Sequence, residues 1–158
     1  MVKEKKQEFT LRISKANKTQ MIVILYDMVL EYLENALDNY KNHNKKEYKA
    51  EIQNAKNCID ELINSLNYEY EIASVLRSLY YFYKRELSTA AIMEKEEKII
   101  PIMEMIKELK NSFEIIAKQD SSAPIMENAQ SVYAGLTYGK DRLNVDLSDQ
   151  SSNRGFRV

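Results

Sequence analysis

The sequence predicts an all-α protein: an antiparallel up-and-down four-helix bundle with an extended N-terminal arm and a partly ordered C-terminal extension. Three observations predict it. All three glycines, Gly135, Gly139 and Gly155, fall in the last 24 of 158 residues, so the first 134 hold only Pro101 and Pro124 as strong helix breakers. Apolar residues recur at steps of three and four over four long stretches. Short polar turns separate those stretches, which favours antiparallel neighbours.

Residues 1–16 form the arm, where Phe9, Leu11 and Ile13 alternate with polar side chains and so predict an extended segment laid along a surface. The first bundle helix opens at Asn17, which has capping-box spacing with Gln20, and runs to about Tyr40. Between positions 21 and 33, eleven of its thirteen residues are apolar or aromatic, interrupted only by Asp27 and Glu31. The acids Asp27, Glu31, Glu34 and Asp38 form one narrow stripe, which leaves an apolar sector of roughly 260° at about 100° per residue. An ordinary surface helix shows a sector of little more than about 100°. This helix needs cover on more than its core side.

His43 lies in a turn, and Asn44 with Glu47 caps the next helix, whose seam is Tyr48, Ile52, Ala55, Ile59, Leu62 and Leu66. The third helix spans about Tyr70 to Met93, with Ile72, Val75, Leu76, Leu79, Tyr80, Tyr83, Leu87 and Ala90 inward. Its consecutive rings, Tyr80, Tyr81, Phe82 and Tyr83, point about 100° apart, so at least one faces outward. The fourth carries Ile99, Ile102, Met103, Ile106, Leu109, Phe113 and Ile116, with Pro101 in its first turn. The expected organisation is thus an arm (1–16), a bundle (17–118) and an extension (119–158). In the extension, Ser122 is expected to cap a short helix over 124–134, with Met126, Ala129, Val132, Tyr133 and Leu136 along one side. The polar end, 148–158, is expected to be disordered.

Chemistry is sparse. The only histidine, His43, has Tyr40 three residues before it, so no Glu-x-x-His metal pair can be built. Cys58 sits beside the Ala55, Ile59 and Leu62 seam and reads as a small buried or half-buried thiol and not as a nucleophile; a lone cysteine also excludes an internal disulfide framework and fits a reducing compartment. Most acids alternate with lysines, and some, such as Glu94 with Lys98 and Glu104 with Lys107, stand at helical pairing distance; no glycine-rich phosphate loop occurs in the helical part. No catalytic, cofactor or metal site is expected, and the protein does not read as an enzyme. A net charge of -1 gives no drive toward nucleic acid. The apolar run is too short to span a bilayer, which needs about 20 residues, and no apolar h-region follows Lys3, Lys5 and Lys6. A cytoplasmic protein is the expectation.

The excess apolar surface then points to a protein partner. Ile13, Met21, Ile22, Ile24, Leu25, Tyr26, Met28 and Val29, with Tyr81 and Phe82, are the candidate lining of a groove for an amphipathic helix or extended apolar peptide. Met126, Val132, Tyr133 and Leu136 from the extension are candidates for covering it.

Three groups of residues together resemble the flagellin-specific export chaperone family, FliS. They are Ala16 with Met21, Ile22, Val23, Ile24, Leu25, Tyr26 and Asp27; Asn54 to Leu62 with Ser65, Leu66 and Asn67; and Leu79 to Phe82 with Arg85, Leu87 and Ala90. The likeness covers roughly residues 9–118. It implies a cytoplasmic helical bundle that binds the C-terminal segment of flagellin, prevents premature polymerisation and assists delivery to components of the flagellar type III export gate. It also implies that the arm, with Phe9, Leu11 and Ile13, lies over part of the client surface and competes with the client for the first bundle helix. A helical adaptor using the same groove for another flagellar or regulatory partner is the alternative. This chain departs from the family pattern in lacking arm tyrosines, in having Lys18 where a proline is common, and in its long extension.

Overall fold

The computed structural model describes residues 1–126, which form five α-helices and no strand. They are α1 (Lys3–Lys15), α2 (Lys18–Lys41), α3 (Lys45–Asn64), α4 (Ile72–Met93) and α5 (Ile99–Gln119), with a 3₁₀ turn at Glu96–Lys98. Helices α2 to α5 form the antiparallel bundle; α2 packs most closely against α3 and α5, and α3 against α4. The remaining side, between α4 and α5, is the least closed.

Local chemistry sets the helix ends. Asn17 accepts the Gln20 amide at 2.9 Å while the Gln20 side chain accepts the Asn17 amide at 3.0 Å, a complete capping box that starts α2. Asn44 accepts the Glu47 amide to start α3. His43 turns the chain with φ 59°, and Glu94 ends α4 with φ 55°. Glu94 bears this costly left-handed geometry without being glycine, held by Lys45 at 2.8 Å and by the Tyr40 hydroxyl on its carbonyl at 3.2 Å. Pro101 lies in the first turn of α5, where its missing donor costs no helical bond.

The arm is helical, not extended. Its lysines, glutamates and glutamine favour helix, and Phe9 and Ile13, four apart, share one face, so the helical period accounts for burial that alternation does not. Phe9 is buried, Ile13 partly so, and Leu11 is 57% exposed. Helix α4 starts two residues later than expected, and Ile72 and Val75 face outward. The inward row of α4 is Ala73, Leu76, Tyr80, Tyr83, Leu87 and Ala90; of the neighbouring row, Ile72 and Val75 are exposed, while Leu79 and Phe82 are half-buried against the core. Ile116 of α5, expected inward, is exposed as well. Residues 121–126 are not helical, so no helix starts at Pro124 within the described residues. Val132, Tyr133 and Leu136 lie outside them.

Candidate functional site

Three apolar sectors of α2 account for its unusual sequence. Tyr26, Val29, Leu33 and Ala36 recur at three-four spacing and are fully buried in the bundle centre. The Tyr26 and Tyr80 hydroxyls lie 2.5 Å apart, and Tyr26 stacks obliquely on Phe113 with ring centroids 5.7 Å apart. Tyr26 and Val29 therefore belong to the core and line no groove. They leave the candidate set because their sector points at α3, α4 and α5 at once. Ile22, at the start of the same sector, is half-buried against that core.

The second sector lies on the far side. Ile24 forms a small separate cluster with Phe9 and Ala16, flanked by Met1, Ile13, Met21 and Met28. Helix α1 is seated there as a strap over α2. Arg12 stands over the Phe9 ring and donates to Asp27 at 2.6 Å, and Lys110 of α5 reaches the other Asp27 oxygen, also at 2.6 Å. This hydrogen bond and charge raise the Lys110 ammonium above its ordinary value. The Met1 ammonium meets Glu51 of α3 at 3.3 Å. Thus the acidic stripe of α2 is partly spent on holding α1.

Between those two sectors runs a groove of about 610 Å³. Ile13 of α1 and Met21, Leu25, Met28 and Tyr32 of α2 line one side; Asn54, Asn57, Cys58, Glu61, Asn64 and Ser65 line the α3 side. Its base is apolar and its rim mostly neutral and polar, suited to an apolar side-chain row whose flanks hydrogen-bond to amides. Burial pushes the Cys58 thiol up to about 11 and raises the Tyr32 hydroxyl as well, both signs of a desolvated wall.

Of the sequence candidates, Ile13, Met21, Leu25 and Met28 are brought together here, with Ile24 beside them under α1. Tyr81 and Phe82 are not. Tyr81 is the outward ring the spacing required; it is held between Arg77 and Lys84 and lies on the α3–α4 face near Lys56 and Arg85. Phe82 packs edge-on to Tyr83, half-buried against the core. The α3 wall escaped sequence reading because its residues are polar, yet Asn54, Asn57 or Cys58, Glu61 and Asn64 or Ser65 recur at three-four spacing beside the buried seam. Leu11 covers nothing, and Met126 is exposed.

Among the described residues no three His, Cys, Asp or Glu side chains converge as a metal site, and no helix is long and apolar enough to cross a membrane. Compared with known protein families, residues 1–120 match the family described as flagellar protein FliS. No curated protein matches the chain.

Proposed function

The chain belongs to the flagellar protein FliS family, and from that premise we propose that the groove between α2 and α3, with the end of α1 as its movable wall, holds its client. As a member of that family it is a non-enzymatic export chaperone whose partner is the C-terminal region of flagellin. Residues 1–16 act as the strap and 17–118 as the client-binding bundle. Flagellin has to be captured before export, which makes the cytoplasm the place of action; the lone reduced-type cysteine is consistent with it.

One observation carries this reading: the buried apolar cluster on the outer sector of α2 joins Ile24 to Phe9 of α1 and to Ala16, and α1 is linked to α2 by only two non-helical residues, Ala16 and Asn17. An amphipathic client segment can bury its apolar row where Phe9 and Ile13 sit. Apolar area is exchanged for apolar area, so the swap stays near balance and the client can be released again. While bound, the same row is unavailable for subunit–subunit packing, which blocks early polymerisation and leaves the subunit ready for the export gate.

Co-purification with flagellin, with and without its C-terminal segment, tests the reading together with Met21→Asp and Met28→Asp. Both methionines are half-buried, so their charged variants should keep the bundle folded and lose at least about tenfold in flagellin affinity, the scale of a groove-centre contact. Unchanged affinity in both variants would reject the groove.

A further inference from the structure

The residues that follow α5 do not leave the bundle; they double back across the joint between α1 and α2. Asp120 is the centre of this crossing. Its Oδ2 accepts the Thr19 hydroxyl at 2.6 Å, and its Oδ1 accepts the Ser122 amide at 2.9 Å. The Asn17 side-chain amide donates to the carbonyls of Asp120 and Ser122 at 3.3 and 3.4 Å. Further on, the Ile125 amide donates to the Ala16 carbonyl at 2.9 Å.

These contacts fall on a mechanically special place. Ala16 and Asn17 are the only residues between α1 and α2, and both are extended, with ψ 136° and -179°. Any swing of α1 off its seat rotates about those two residues. Rotation there turns the Ala16 carbonyl away from Ile125 and disturbs the Asn17 amide, which is nearly inaccessible to solvent. Asn17 also fits this place better than the other good cap residues. Its Oδ1 caps α2, as a serine or aspartate oxygen would, but only an asparagine adds the Nδ2 donor that the two carbonyls require.

We propose that residues 120–125 are a latch on the α1–α2 joint, and that Asp120, Thr19 and Asn17 are positioning residues that hold α1 closed over the client surface. Opening the strap therefore means breaking contacts with the segment that follows α5, so the end of α5 and the arm respond together. Hydrogen bonds from Ser122 and Thr19 hold the Asp120 carboxyl down to about 2, so the latch stays charged and intact at any physiological pH. The effect on client uptake rests on the reading that α1 and flagellin compete for one surface; the latch itself does not.

Amide hydrogen exchange in the full-length protein separates the two. Asp120→Ala, Thr19→Val and Asn17→Ser each remove latch contacts, and Asn17→Ser keeps the α2 cap. All three should speed exchange of the α1 amides by about threefold or more, the scale of one lost hydrogen bond, while α3 and α4 exchange at the parent rate. The Asp120→Ala/Thr19→Val double variant should be no faster than Asp120→Ala alone, because both remove the same bond. Unchanged α1 exchange in Asp120→Ala and Thr19→Val overturns the latch, as does an equal acceleration in α3, which would make Asp120 a general stabiliser. Association of a flagellin C-terminal peptide, followed by stopped-flow fluorescence, should quicken in the same variants. Faster α1 exchange with unchanged peptide association keeps the latch and rejects competition between strap and client.

Discussion

On the bundle side of α2, Tyr26, Val29, Leu33 and Ala36 share one cluster with side chains of α3, α4 and α5; on the outer side, Ile24 is nearly as buried but clusters with Phe9 of α1 and Ala16 of the joint. The two faces are alike in composition and differ in how many independent elements must move to expose them. Uncovering Val29 means opening the bundle. Uncovering Ile24 means lifting one helix of 13 residues that hangs on a two-residue joint and a few polar contacts, among them Arg12 with Asp27 and the Met1 ammonium with Glu51. Burial of a single residue therefore says little about reversibility, which depends on the connectivity of whatever covers it.

The largest test of that contrast is a pair of truncations. Tyr26→Ala should cost about 3–5 kcal/mol in urea unfolding, because the core cannot collapse into the space left between three helices. Ile24→Ala should cost no more than about 2 kcal/mol, since α1 can settle or release, and its main signature should be faster exchange in α1. Equal costs would erase the distinction between the faces.

An alkaline titration sharpens it next. Burial pushes the Tyr80 and Tyr48 hydroxyls up to about 12 and raises Tyr26 further still, with the neighbouring Tyr80 adding to the effect. In the unfolded chain the same groups ionise near about 10. Between those values the unfolded state binds fewer protons than the folded one, so stability is level below pH 10 and falls as pH rises toward 12. Tyr26→Phe should make that fall shallower. It should also lower stability at neutral pH by about 1–3 kcal/mol by leaving the buried Tyr80 hydroxyl without its partner. The cluster under α1, Phe9, Ala16 and Ile24, contains no tyrosine, so α1 exchange should not follow this titration until the bundle itself opens.

Much of this was legible in the sequence because helical signals are local. The Asn17 and Asn44 caps, the α3 seam from Tyr48 to Leu62 and an outward ring among residues 80–83 follow from spacing alone. The width of the α2 apolar sector also announced two kinds of cover. What spacing could not supply was the assignment of each sector to a neighbour. Tyr26 and Val29 sit one helical step from Leu25 and Met28, yet the first pair meets three helices and the second borders a groove. The arm was misread because Leu11, exposed in the structure, completed an apparent alternation with Phe9 and Ile13. The outward turn of Ile72, Val75 and Ile116 depends on which neighbours reach the ends of α4 and α5, which no single helix encodes.

The smallest expected effect is the most direct view of the outer face, and it uses the thiol already present. Cys58 lies on the α3 wall of the groove, 7% exposed, and its depressed acidity leaves little thiolate at pH 8. An aromatic disulfide reagent should therefore modify it slowly, at a rate limited by how often the wall becomes accessible. Phe9→Ala loosens α1 and with it the Ile13 side of the groove, so modification should quicken a few-fold while urea stability of the bundle stays near the parent value. Bound flagellin peptide should then slow the reaction in both proteins. A rate that rises in Phe9→Ala but ignores the peptide would leave α1 as the movable cover and put the client elsewhere, with the α4 row of Ile72, Val75, Leu79 and Phe82 as the next surface to probe.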